Sequence, residues 1–240
     1  MLVLMRFCSN LEGGVTMNNK KVIFPFVMGT LAFLCFLAVV LFMSSSVQPP
    51  WGRVMVLLLP SIILYSVAFL SAKGKLDSKK TMIRTSLLTI VLLLVSIFYV
   101  FLLSIWTATT ETTDIRYYSR AYAQIEDEDG VEGVFPAAIP PDTTDVSFHY
   151  NPQFLQGGEV FEVSYTIADD VRSEWETLLE KKAEWIGSNE DWHRLNNWGF
   201  HDADSTRYHL YWDGGFNHGE MCYVLIEPST NRITFHYSDW

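Results

Sequence analysis

Three stretches of this 240-residue chain lack any Asp, Glu, Lys, Arg or His: Val22 to Met43, Val54 to Ala72 and Ser86 to Trp106. No comparable uncharged run follows Trp106. Apolar stretches of this length suit helices that cross a bilayer, whereas core helices of soluble proteins are shorter and interrupted by polar positions. The first run alone holds 14 Leu, Ile, Phe and Val residues, enough to favour insertion by about 5 kcal/mol. The missing intramembrane charges argue against an ion or proton pathway, since such pathways are built from ionisable side chains. The expected arrangement is three transmembrane helices followed by one small α+β domain, an antiparallel sheet with one main packing helix. Its segments are an N-terminal leader and cytoplasmic segment over 1–21, the anchor over 22–107, a juxtamembrane helix and acidic linker over 108–134, and the α+β domain over 135–240.

Cysteine is scarce as well, with Cys8, Cys35 and Cys222 the only three. A single cysteine after the spans excludes an internal disulfide there, so that domain must be held by packing. It contains 22 of the 35 aromatic residues, which predicts a core of large rings rather than aliphatic side chains. Acids are scarce in the first part and abundant in the second. Through Thr107 there are 9 Lys and Arg against 2 acids, a balance of +7, and from Ala108 there are 8 against 25, a balance of −17. A domain this acidic repels phosphate backbones, which makes nucleic acid an unsuitable partner.

Positive charge also sets the expected sides of the membrane. Lys20 and Lys21 precede the first run, Arg53 alone lies between the first two, and Lys73, Lys75, Lys79, Lys80 and Arg84 crowd the next connection. The positive-inside rule then places the N-terminus in the cytoplasm and the acidic domain outside. The chain is expected to be a multi-pass cell-membrane protein with the lipid bilayer as its first partner. Trp51 and Trp106 would both meet the outer interface, where indole rings prefer to lie. Pro25 falls in the first turn of the first run, and Pro60 predicts a kink in the second. Leu11, Glu12, Gly13 and Gly14 can be encoded by a purine-rich stretch like a bacterial ribosome-binding sequence, which suggests Met17 as the start. Native peptides from before Met17 would overturn that expectation.

Beyond the spans, Ile115, Tyr118, Tyr122 and Ile125 recur at helical spacing, so the third span is expected to continue outward to Ile125. The acids Glu126 to Asp129 with Gly130 do not fit a calcium loop, whose first and twelfth ligand positions would be Ile125 and Pro136. Strand alternation marks Val146, Phe148 and Tyr150, then Phe161, Val163, Tyr165 and Ile167. A helix capped by Asp169 is expected to run to Ile186, with Val171, Trp175, Leu178, Leu179, Lys182 and Trp185 on one side. A meander over 207–212, 221–227 and 232–237 completes the pattern, with the middle strand central because both its faces are apolar.

No GxSxG elbow, SxxK, phosphate loop or GxGxxG is present, and Cys222 falls in the central strand, where a thiol is buried and inert. Nucleophilic catalysis therefore has no candidate, and no cofactor is expected. All six His follow Trp106, and His201, Asp202 and Asp204 are the metal candidates, although their spacing matches no established ligand pattern. Trp192, Trp198, Tyr211 and Trp212, with Tyr208 near them, form the candidate ligand-binding group. Aromatic platforms bind sugar faces and peptides, and the competing reading is that these rings fill the core.

The stretch FPAAIPPDTTDVSFHYNPQFLQGGEVFEVSYTI, Phe135 to Ile167, resembles a segment of an uncharacterised bacterial membrane-anchored protein family. The shared elements are a Phe-Pro, an Ile-Pro, an aromatic strand, Phe-Leu-Gln-Gly-Gly and a second strand. The resemblance implies no activity and transfers no catalytic residue. The expected role is an extracytoplasmic binding or sensing domain on a membrane anchor, more in keeping with a non-enzyme than an enzyme. Its partner would be a cell-wall component or another membrane protein. The alternatives are an accessory subunit of a cell-envelope complex and a metal-dependent or glycosidic hydrolase.

Overall fold

A computed structural model of the chain describes residues 17–76, 78–154, 158–195, 205–213 and 219–239. The chain divides into two compact units, Met1–Ile105 and Trp106–Trp240.

In the first unit, helix α1 covers Met17–Ser44. A short helix α2 over Trp51–Val54, a 3-10 turn over Met55–Leu58 and helix α3 over Leu59–Ala72 make the second span. Helix α4 covers Ser78–Thr109. Three candidate spans result, Val22–Ser44, Trp51–Ala72 and Ile83–Thr109. Pro60 explains the 3-10 turn, because a proline cannot donate to the carbonyl four residues back and its ring crowds that carbonyl. The expected kink is thus a local tightening. Pro25 lies inside α1 and not in its first turn, since the helix begins five residues before the apolar run.

Gly29 lets α1 and α3 approach closely. A Cβ there would lie 3.2 Å from the Tyr65 ring and 3.4 Å from Leu64 Cβ. Thr30 Oγ1 donates to the Phe26 carbonyl at 3.0 Å, so the Tyr65 hydroxyl, 3.1 Å away, donates to Thr30. Phe36, Met43, Val54, Leu57 and Leu103 form a small apolar cluster that ties in α4. Most Leu, Ile, Val and Phe of α4 face outward, the arrangement expected where hydrocarbon is the solvent.

The second unit is built on a six-stranded antiparallel sheet of order β1-β2-β6-β5-β4-β3. Its strands are β1 Thr144–Asn151, β2 Glu159–Thr166, β3 Trp185–Ser188, β4 Thr206–Asp213, β5 Glu220–Glu227 and β6 Arg232–Asp239. Helices α5 Tyr118–Ile125, α6 Asp169–Lys182 and α7 Asn189–Leu195 accompany it. The meander appears as expected, with β5 and β6 central.

Three expectations are corrected. Helix α4 does not run on to Ile125: it ends at Thr109, and Thr112 then pairs with Tyr150 through backbone bonds of 2.8 and 2.9 Å. Asp114 starts a new turn by accepting the Arg116 N–H at 3.0 Å. The helical spacing was real, but its apolar side turns onto the sheet, for Tyr118, Ala121 and Ile125 of α5 are buried together with Val131, Val134 and Phe135 after it. Residues 108–134 thus belong to the sheet unit, while Glu126, Asp127 and Asp129 of the acidic stretch are exposed. Finally, α6 stops at Lys182, and Trp185 and Ile186 lie in β3. The extended Ala183, at ψ 134°, sends the Glu184 N–H to the His209 carbonyl at 2.7 Å, where the sheet captures the chain. Ala168, and not Asp169, occupies the cap position, which leaves Asp169 and Asp170 in the first turn and Lys181 and Lys182 in the last. Both pairs complement the helix dipole.

The buried side of the sheet is aromatic, as composition predicted. Phe161 meets Tyr118 at 5.5 Å, Phe148 at 5.6 Å and Phe135 at 6.1 Å between ring centroids, and Phe235 meets Phe135 at 5.3 Å and Trp175 at 5.1 Å. Gly130, at φ +78°, closes the turn after α5. A Cβ there would come within 3.0 Å of Tyr211 and Cys222 Cβ atoms, so only glycine lets this turn lie on the sheet. Burial raises the Cys222 thiol pKa, which keeps it protonated as expected.

Candidate functional site

Alternation along each strand gives the sheet a second face, and the register writes a row across it. Trp185 pairs with His209, His209 with Tyr223, Tyr223 with His236, His236 with Glu162 and Glu162 with His149. One residue from every strand contributes, and none of the six is aliphatic. At about 4.8 Å per strand the row spans roughly 24 Å. His236 Nδ1 donates to Glu162 Oε2 at 2.9 Å, and this bond is the main reason the Glu162 pKa is lowered. The His236 and Tyr223 rings stack at 4.6 Å, and His149 Nε2 lies 3.3 Å from Glu111 Oε2.

At the β3–β4–β5 end, α7 covers this face. Trp192 stacks on His209 with centroids 3.6 Å apart and meets Trp185 at 5.3 Å. Arg207 lies beneath them, only 2% exposed. Its Nε donates to His209 Nε2 at 2.7 Å, its Nη1 to Asn189 Oδ1 at 2.9 Å and its Nη2 weakly to Met221 Sδ at 3.5 Å. The guanidinium carbon sits 3.5 Å above the Tyr223 ring and 5.2 Å from that of Trp192, within cation–π range of both. Burial lowers the Arg207 pKa to about 10, so it stays charged at neutral pH. Burial first, then the Arg207 charge, pushes His209 down to about 3, so the imidazole stays neutral.

No protein-family model matches the chain, and neither a curated protein nor a solved structure matches it. The site must therefore be read from its chemistry.

The candidate aromatic group divides. Trp192 is 5% exposed, a wall of the cluster, while Trp212 is 49% exposed and meets it edge-on at 5.2 Å. Tyr211 pairs with Cys222 after a bulge in β4 and so faces the other side of the sheet, against Gly130. It does not join the group, and neither does Tyr208, which pairs with Val224 on that same side. Trp198, His201, Asp202 and Asp204 lie outside the described residues. Among the described residues, no three His, Cys, Asp or Glu side chains come together in a way that can hold a metal ion.

Sequence reasoning missed Trp185, Arg207, His209 and Tyr223. The signal available was the period-2 placement of Arg207 with His209, which puts both on one side of a strand. A second cross-strand row, on the covered face at one end of the sheet, is acidic: Glu159 pairs with Asp239, Asp239 with Glu220 and Glu220 with Asp213. Burial, followed by the charges of Glu128, Asp129, Asp239 and Asp213, raises the Glu220 pKa to about 7.

Proposed function

We propose that this chain is a membrane-anchored binding or sensing protein whose sheet domain recognises a ligand at the Trp185, Trp192 and Trp212 end of its open face. The half-exposed Trp212 ring, set against buried Trp192, whose ring in turn meets the Arg207 guanidinium, carries this reading. An exposed indole with a fixed edge-on partner offers a flat apolar platform beside polar side chains, the composition of a small-ligand site. The apolar helices support a multi-pass anchor. The lysine-rich connection before the third span supports a cytoplasmic N-terminus and an outer domain facing the envelope of a bacterial cell, with a wall component as the partner class. Melting the full-length protein in detergent against soluble wall fragments and divalent metals tests the reading. A rise in melting temperature with a glycan or peptide fragment supports it, and no response to any fragment contradicts it. Protease added to intact cells must remove the domain if the orientation is right.

A second reading, accessory subunit of an envelope complex, is favoured by the first unit. Its spans leave an apolar cavity of about 330 Å³ between them, lined by residues that include Ala32, Cys35, Leu64 and Leu93. Most apolar side chains of α4 are uncovered. Cysteine crosslinking from Cys35 to a membrane protein of fixed mass supports that reading, and crosslinking only to lipid contradicts it.

A further inference from the structure

The charge of Arg207 is not balanced by any ion pair among the described residues, although the domain from Ala108 onward has 25 acids. Its hydrogen-bond partners are an imidazole, an amide oxygen and a thioether, and all are neutral. A guanidinium withdrawn from water without an anion is costly, and cation–π contacts recover only part of that cost.

Its surroundings have too many donors and too few acceptors. Because Arg207 Nε donates to His209 Nε2, that nitrogen is unprotonated and the proton of the neutral ring must sit on Nδ1. Nδ1 is buried and meets no acceptor among the described residues. Ser205, whose backbone oxygen accepts the Asn189 N–H at 3.2 Å, has a buried Oγ that also meets no partner among the described residues. A positive charge with spare N–H and O–H groups calls for an anionic acceptor.

Met221, itself only 6% exposed, adjoins both this charge and Trp212. Its sulfur is the weakest acceptor on the guanidinium, and it is the cross-strand neighbour of Trp212, the half-exposed ring. A flexible thioether side chain changes rotamer readily, so it serves as a plug between solvent and the charge. We infer that the buried Arg207 guanidinium takes the carboxylate of a small monoanionic ligand, which displaces Met221 while the apolar part of the ligand lies on Trp212. This rests on the binding reading above and gives it a chemical class. The acidic surface does not forbid such a ligand. Repulsion by surface charges fades within about 10 Å in salt, whereas a single desolvated carboxylate on a guanidinium fork is held by short-range bonds. A polyanion would pay that repulsion at every charge.

Sodium benzoate and its neutral isostere benzamide separate charge from shape. With full-length protein in detergent at matched ionic strength, benzoate is expected to raise the melting temperature of the sheet domain by about 3 °C or more near saturation. Benzamide and sodium chloride are expected to leave it unchanged. Arg207→Gln should abolish the shift, and Trp212→Ala, at a half-exposed position that folding does not depend on, should reduce it at least by half. No shift with benzoate overturns the inference, as does the same shift with benzamide or a shift retained in both variants. An equal response to benzamide leaves the binding reading standing and removes only the carboxylate. The wild-type comparison decides the matter even if R207Q does not fold.

Discussion

The two faces of the sheet are made by the same six strands and differ in almost every other respect. The covered face holds Phe148, Phe161, Tyr165 and Phe235 in ring-to-ring contact under α5 and α6, with buried Tyr237 opposite Phe161 in the register. The opposite face, open except where α7 covers its β3–β4–β5 end, holds His149, Glu162, His236, Tyr223 and the buried His209, with buried Arg207 beside them. Phenyl rings met edge-on at 5 to 6 Å need no hydrogen bonds. Titratable groups in a row need partners, and where the partners are incomplete the face has capacity left for a ligand. One alternating sequence thus supplies a face that builds the fold and a face free to vary in chemistry.

The largest effect should come from the building face. Phe235→Ala removes a ring that touches Phe135, Tyr165 and Trp175 and is expected to cost about 3 to 5 kcal/mol, measured as the shift in denaturant midpoint. A cost below about 1 kcal/mol would mean that the aromatic packing is not what holds this face.

An intermediate effect belongs to the acidic end of the sheet and depends on pH. Glu220, raised to about 7 from an ordinary 4.5, is ionised at a cost in the folded protein above neutral pH, and that cost is relieved as pH falls through 7 toward 4.5. His209, lowered from 6.5 to about 3, acts oppositely: the unfolded chain takes up a proton below 6.5 that the folded ring refuses, so stability is lost as pH falls from there. Between 4.5 and 6.5 the two slopes oppose each other, so a broad stability maximum between about pH 5 and 6 is the expected sum. Glu220→Gln should be more stable than the parent at pH 8, by about 1 kcal/mol once solvent screening is allowed for, and nearly equal to it at pH 5. Thermal melts at the two pH values check this, and an equal gain at both would contradict it.

The smallest effect should come from the open face. Trp212→Ala, at a half-exposed ring, is expected to change stability by only about 0.5 kcal/mol in the same denaturant series. A loss near that of Phe235→Ala would erase the distinction between the faces.

Much of the fold was legible in the chain. Uncharged length alone gave the spans, because hydrocarbon penalises every charge in the same way, and alternation together with one run apolar on both faces gave five of the six strands, the central β5 among them. Two elements were hidden for a shared reason. Trp185 and Ile186 continue the spacing of α6, and Tyr118, Ala121 and Ile125 follow at a distance the pattern of α4, so periodicity ran through breaks made by tertiary bonds. The Glu184 N–H to His209 and the Thr112 pair with Tyr150 make those breaks. The site was half legible. Trp192 and Trp212 are neighbours as their types suggested, yet Tyr211 points the other way because a bulge in β4 shifts the register by one residue. A shift of that kind moves a side chain to the opposite face and leaves no mark in composition. Arg207 went unread because a lone arginine in a strand signals nothing until its neighbours prove neutral.

The most direct measurement of the difference between the faces is oxidative footprinting of the full-length protein by hydroxyl radicals, read tryptophan by tryptophan. Trp212 should be oxidised several-fold faster than Trp192, the ring it touches, since one is 49% exposed and the other 5%. Equal rates for the two would contradict the account, because the platform and its buried wall would then not exist.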